Sequence, residues 1–121
     1  MILADTSIWI DHLNRNEPDL LRQLEAGAVL AHPFIIGEIA LGNLRQRALI
    51  LGALRDLPQA IIATDDEVMD FIERHSLAGR GIGYVDAHLL ASVRLTPDAR
   101  LWTRDRRLST LADGLGLSAP Q

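Results

Sequence analysis

MILADTSIWIDHLN, residues 1–14, is the stretch whose reading decides the fold. Residues 1–4 form a short apolar run that ends at an acid, Asp5, the pattern of a buried strand whose last residue emerges at the sheet edge. From Thr6 the period changes. Ile8, Trp9, Ile10 and Leu13 are apolar while Ser7, Asp11 and Asn14 fall on one helical stripe, so an amphipathic helix follows the strand directly.

Reading outward, Asn16 with Pro18 just behind it marks a second helix start, Leu20, Leu21 and Leu24 supply its apolar face, and Gly27 is placed for a C-cap. Residues 28–31 are a strand candidate. Pro33 opens an apolar helical stretch running to residue 44, and another covers residues 48–57 until Pro58 halts it. Ile61 and Ile62 suggest a brief strand. Thr64 and Glu67 have the spacing of a capping box, which predicts a helix to about residue 77. The glycines at 79, 81 and 83 mark a loop, residues 84–95 read as helix, 100–103 as strand and 107–115 as a last helix. Strands alternating with helices predict an α/β fold: a three-layer sandwich with a central parallel sheet of four to five short strands flanked by about seven helices. No repeat or linker interrupts it, so residues 1–121 are expected to form one domain.

Composition narrows the function. With 48% hydrophobic and 23% charged residues the chain can fill a core. Twelve basic against 16 acidic residues give a net charge of −4, the wrong sign for holding nucleic acid by bulk electrostatics, so any such partner must be held locally. The absence of cysteine excludes disulfides, thiolate metal sites and a cysteine nucleophile. All 12 basic residues are arginine, which excludes lysine chemistry and otherwise matches a coding bias. No export signal opens the sequence and no apolar stretch reaches the ~20 residues needed to span a bilayer, so a cytoplasmic protein without a membrane anchor is expected.

Most of the acids lie where solvent takes them, such as Asp65, Asp66, Glu67, Asp70 and Glu73 along one helix. Four stand in apolar surroundings. Asp5 ends a buried strand, at the carboxyl edge where open α/β sheets place their ligand sites. Glu38 interrupts the run Phe34-Ile35-Ile36-Gly37 and Ile39-Ala40-Leu41. Asp86 has Leu89, Leu90 and Val93 at helical spacing, and Asp105 follows the strand carrying Leu101, Trp102 and Thr103. Singly, each has a structural reading: Asp5 as an N-cap, Asp86 as a helix-dipole partner, Asp105 as an ion-pair partner of Arg104, Arg106 or Arg107. Together, four partly buried carboxylates raise one another's pKa and call for a cation. Oxygen-only ligands select hard divalent ions, Mg²⁺ or Mn²⁺, the instruments of phosphodiester hydrolysis. The histidines build no rival site. His88 is expected at a surface or an interface, and His12, His32 and His75 lack metal-ligand spacing.

Asp5-Thr6-Ser7 after a hydrophobic strand, Glu38 in Ile36-Gly37-Glu38-Ile39, Asp86 in Tyr84-Val85-Asp86-Ala87-His88-Leu89-Leu90-Ala91, and Leu101-Trp102-Thr103-Arg104-Asp105 together resemble the PIN-domain family, and within it the VapC-type toxins of bacterial toxin–antitoxin pairs. The resemblance covers essentially the whole chain. It implies a PIN-like sandwich and a Mg²⁺- or Mn²⁺-dependent ribonuclease. The expected assembly is a homodimer, or a heterotetramer or larger particle with a VapB-type antitoxin whose C-terminal segment wraps the toxin. Residue by residue, it implies that Asp5, Glu38, Asp86 and Asp105 line the acidic pocket, with Thr6, Ser7 and Thr103 as hydroxyl-bearing companions.

On that reading Asp5 and Asp86 hold a metal, Glu38 and Asp105 orient a second ion or a water, and Arg104, Arg106 and Arg107 meet RNA phosphates at the rim. An inhibitor is expected to dock an arginine into the pocket, with apolar faces around Ile35, Leu41, Leu44 and Leu51 receiving the rest of it or a second protomer. A phospho-receiver domain needs a lysine and there is none; a haloacid-dehalogenase-like phosphatase wants an acid where Ser7 stands. The alternative from another class is a catalytically inactive PIN-fold interaction module that sequesters a partner.

Overall fold

Strand β1 (Ile2–Ala4) hands over to helix α1 (Thr6–Arg15) across Asp5, whose carboxylate accepts from the Ser7 and Ile8 backbone N–H groups and so begins the helix. The computed structural model describes residues 1–120. Helix α2 (Pro18–Glu25) leads to β2 (Val29–Leu30), then α3 (Pro33–Ala40), α4 (Arg47–Asp56), α5 (Asp65–Arg74), α6 (Tyr84–Leu95), β3 (Arg100–Trp102) and α7 (Arg106–Gly114). The strands are parallel in the order β2-β1-β3, with Ile2 opposite Val29 and Arg100, and Ala4 opposite Trp102.

Successive strand residues face opposite sides of a sheet. Leu3, Ala4, Val29 and Leu30 are all buried, so both faces are covered and the chain is a three-layer α/β sandwich. Leu3, Ile8, Leu20, Ile35, Ile39, Leu89, Leu90, Leu101 and Leu108 lie fully inside it. Among the described residues no helix is long and apolar enough to cross a membrane.

The sheet is narrower than the expected four to five strands. Among the described residues it has three, flanked by single parallel bridges at Ala31–Gln59 and Leu101–Ser118. Ile61 and Ile62 are not a strand. The line of β2 leaves the sheet at Pro33, which starts α3, so a strand pairing with it finds no partner past Ala31. Ile61 instead donates its N–H to Thr96 Oγ1 at 2.9 Å, and both isoleucines are about half exposed.

Some helix ends also shift. The chain takes a positive φ at Asn16 (56°), where α1 closes, so Glu17 and not Asn16 precedes α2. Helix α3 stops at Ala40, four residues short, because the Arg47 guanidinium reaches back to the carbonyls of Ala40 (2.5 Å) and Gly42 (3.3 Å) and satisfies acceptors that a further turn would use. The Thr64–Glu67 capping box forms as expected, but α5 ends at Arg74.

Candidate active site

In-register pairing of β1 with β3 sets their carboxyl ends side by side. The Asp5 N–H donates to the Trp102 carbonyl at 3.0 Å, and Asp5 and Thr103 become neighbours although 98 residues separate them. Asp5 is buried and met by donors at both oxygens. Oδ1 accepts from the Ser7 N–H (3.0 Å) and the Ser7 hydroxyl (2.5 Å), and Oδ2 accepts from the Thr103 hydroxyl. Its direction is thereby fixed.

The rest of the constellation hangs on this group. Thr103 Oγ1 also accepts the Asp105 N–H at 3.0 Å, and Asp105 caps α7 by accepting from the Leu108 N–H at 2.9 Å. The Thr6 hydroxyl donates to Glu38 Oε1 at 2.6 Å, linking α1 to α3. Ser7 Oγ accepts the Arg104 N–H at 3.1 Å. Asp86 stands on the first turn of α6, where its Oδ2 accepts from the Gly83 N–H at 3.2 Å. Its carboxyl is pushed above the ordinary carboxylate range, first by burial and then by the charges of Asp105, Asp5 and Glu38, with the Gly83 N–H opposing. The four acids therefore share one electrostatic neighbourhood.

The arrangement differs from the expectation in three ways. Only Asp5 is buried and Asp86 half-buried; Glu38 and Asp105 are exposed. Among the described residues, no three histidine or carboxylate side chains are gathered at metal-ligand spacing, so the acids form an open rim and not a closed cage. Two local readings hold beside the shared one, Asp5 as an N-cap and Asp86 at the start of α6, whereas Asp105 caps α7 and forms no ion pair with Arg104, Arg106 or Arg107 among the described residues.

The donor set fits a hard divalent ion. It offers carboxylate and hydroxyl oxygens only, and none of the four acids belongs to an ion pair found among the described residues. Arg104, next to Asp105 on its amino side, is engaged elsewhere. Arg104 binds Asp11 (Nε to Oδ2, 2.5 Å) and Glu17, with its guanidinium 5.9 Å from the Trp102 ring centre, so it is tied to α1 and to the start of α2. Arg107 lies across Gly81, and Arg106 is exposed. Of the apolar positions expected to receive a partner, Ile35 is in the core, Leu44 and Leu51 are half-buried and Leu41 is 90% exposed.

His88 is not at the surface as expected. It is 2% exposed, and its Nε2 lies 3.1 Å from Asp65 Oδ1, which also accepts the Tyr84 hydroxyl at 3.1 Å. The spacing of Tyr84 and His88, one helical turn apart, was the available signal, because a polar pair at that interval can share one partner.

The PIN-domain family profile matches residues 2–114. Ribonuclease VapC32 of Mycobacterium tuberculosis, in strains CDC 1551 / Oshkosh and ATCC 25618 / H37Rv, is 45% identical over 118 residues, covering 98% of this chain and 95% of the relative. A strand-helix opening that sets an acid at the sheet edge and a profile match over nearly the whole chain agree: the chain belongs to the PIN-domain family.

Proposed function

We propose that this chain is a Mg²⁺- or Mn²⁺-dependent endoribonuclease, the toxin of a toxin–antitoxin pair held in check by a VapB-type antitoxin, and active as a homodimer. The observation that carries the reading is the acidic carboxyl edge of the sheet, where Asp5 is buried and held by Ser7 and Thr103, Asp86 is pushed up by burial and then by the charges of Asp105, Asp5 and Glu38, and none of the four acids is in an ion pair found among the described residues. The 45% identity to a ribonuclease supports the substrate class.

Asp5 and Asp86 are the proposed principal holders of the ion, with Glu38 and Asp105 beside them. These carboxylates would hold a divalent ion whose chemistry, when bound, would be to lower the pKa of a water and to offset charge on the scissile phosphate. The protein's own part is orientation. Ser7 and Thr103 fix the Asp5 carboxylate, Thr6 fixes Glu38, and Gly83 fixes Asp86, so the acids would take up a cation without rearranging. Attack by external water and departure of the ribose 3′-oxygen leave a 5′-phosphate and a 3′-hydroxyl. Arg106, exposed, and Arg107, which packs on the Gly81 loop, are the rim arginines outside any ion pair found among the described residues and are assigned the phosphate contacts, while Arg104 shapes the wall.

Purified chain should cut RNA with Mg²⁺ or Mn²⁺ and stop in excess EDTA. Asp5→Ala and Asp86→Ala should abolish cutting, and Asp70→Ala, which breaks only a surface pair with Arg74, should leave it intact. Cleavage that persists in EDTA, or in both active-site variants, overturns the proposal. An uncleaved substrate with every metal favours the inactive interaction module instead.

A further inference from the structure

A hydroxyl can both donate and accept, so its direction is open until a group that can only donate takes its accepting side. Both hydroxyls that meet Asp5 have such a neighbour. The backbone N–H groups of two consecutive residues, Arg104 and Asp105, donate to Ser7 Oγ (3.1 Å) and to Thr103 Oγ1 (3.0 Å). Each hydroxyl then turns its proton on Asp5, Ser7 toward Oδ1 at 2.5 Å and Thr103 toward Oδ2. Residues 103–105 are therefore the frame that holds the Asp5 carboxylate, and their placement sets where it points. Neither strand nor helix fixes the middle of that frame, since β3 ends at Trp102 and α7 begins at Arg106.

The Arg104 side chain supplies the missing hold. Its Nε pairs with Asp11 Oδ2 on α1 at 2.5 Å, its Nη2 pairs with Glu17 Oε2 just before α2, and its guanidinium lies 5.9 Å from the Trp102 ring centre. Glu17 is anchored in turn, its N–H donating to His12 Nδ1 at 2.9 Å. One rigid guanidinium thus ties the frame to two other elements, which a single ammonium could not do with the same geometry. The Arg104 and Asp11 side chains are 44% and 50% exposed, and exposed ion pairs contribute little to stability, so the clamp has small effect on the fold as a whole. Resting on the metal-dependent reading above, we propose that Arg104 is a positioning residue of the metal site: clamped by Asp11 and Glu17, it holds residues 103–105 so that the Ser7 and Thr103 hydroxyls present Asp5 to a divalent cation. Asp11, on the polar stripe of α1, and Glu17 thereby become parts of the site's support. The sign of the charge separates this role from plain electrostatics. Removing a positive charge beside four carboxylates strengthens cation binding by Coulomb's law, whereas loss of position weakens it.

The test measures Mn²⁺ affinity of the full chain without RNA, from the paramagnetic resonance signal of the free ion. Arg104→Gln should weaken Mn²⁺ binding by about tenfold, the scale on which outer partners of metal ligands act. The double variant Asp11→Asn/Glu17→Gln, which leaves the arginine but removes its anchors, should show the same deficit, and the triple variant should be no weaker than either. By charge alone the first change would tighten binding, the second would loosen it and the triple would nearly cancel. Arg74→Gln, which removes an equal charge from a surface pair with Asp70, should stay within about twofold of the parent. In cleavage assays raised Mn²⁺ should restore the kcat of Arg104→Gln, whereas a lost RNA contact would raise KM at every Mn²⁺ concentration. A folded Arg104→Gln that binds Mn²⁺ as tightly as the parent, or more tightly, overturns the positioning role and leaves the metal reading standing. A defect in KM that Mn²⁺ does not relieve overturns it as well. A parent chain that binds no Mn²⁺ and cuts RNA without it overturns the metal reading and the positioning role together.

Discussion

Asp5 holds two assignments at once. It caps α1 and it anchors the acidic neighbourhood, because a strand that ends where a helix begins places the capping residue at the sheet edge. Asp86 likewise bonds the Gly83 N–H and feels three other carboxylates. Asparagine keeps an acceptor for Gly83 but removes the charge, so Asp86→Asn should melt higher than the parent in EDTA. It should lose the stabilisation the parent draws from Mn²⁺, which is ~2.7 kcal/mol at a hundredfold excess over Kd. A melting series of both proteins in EDTA and in Mn²⁺ checks the two opposite signs, and a variant that melts lower in both conditions removes Asp86 from the shared site. His32 makes a pH prediction. Fully buried at the start of α3, it accepts the Phe34 N–H at Nδ1 and meets Ser92 Oγ at Nε2 (3.1 Å), an arrangement suited to the neutral ring. Burial, and secondarily His88, push its pKa down to about 4. The unfolded chain takes up a proton near pH 6.5 that the native chain refuses, so this contribution to stability is full above pH 6.5 and falls away as the pH drops toward 4. At ~1.4 kcal/mol per pKa unit the loss reaches at most ~3 kcal/mol. Denaturant titrations at pH 7, 5.5 and 4.5 should show it in the parent and not in His32→Asn.

At the scale of elements, the features that held were those with local causes. The Thr64–Glu67 box starts α5, Pro18 and Pro33 sit at helix starts, and α6 spans the residues its periodicity marked. What failed depended on distant partners: α3 ends where Arg47 meets its carbonyls, and residues 61–62 lie outside the sheet because β2 gives way to a helix. The 79–83 loop combines both kinds of cause. Gly81 has φ +83°, and a Cβ there would stand 2.8 Å from Arg107 Cδ and Nη1, so the loop before α6 is shaped against the first turn of α7. Gly81→Ala should therefore destabilise the protein by ~1 kcal/mol or more from backbone strain, with an added part from displacing Arg107. A double-mutant cycle with Arg107→Ala should recover the second part and leave the first. Strict additivity of the two changes would show that the arginine does not rest on the loop.

For the whole molecule, a net charge of −4 sits on a surface whose acidic neighbourhood lacks a counter-charge among the described residues. Long-range attraction to RNA is therefore absent, and on the proposed reading recognition is expected from the phosphate–ion contact, Arg106 and Arg107. The same field favours a cationic inhibitor. An antitoxin peptide should place an arginine against Asp5 and Asp86, since a guanidinium pairs bidentately with carboxylates. Changing its arginines to alanine should weaken inhibition at least tenfold, and inhibition by the parent peptide should weaken with added salt. Inhibition assays at two salt concentrations decide it; an alanine peptide as potent as its parent rules out the plug.

Period and punctuation were enough for the sandwich: the apolar run ending at Asp5, the helical stripes and the caps are short-range causes that act wherever the chain lies. The four acids could be picked out as candidates, since a carboxylate in an apolar stretch is expensive unless it is used. Their real exposure could not be read, nor could the burial of His88, the capture of Arg104 by Asp11 and Glu17, or the packing of Phe34 and Tyr84 on His88. Each of these depends on which residues far apart in the chain are brought within a few ångströms. Strand register and helix packing decide that, because a side chain's surroundings are fixed by its neighbours in space while its spacing in the sequence fixes only the face of the element on which it stands.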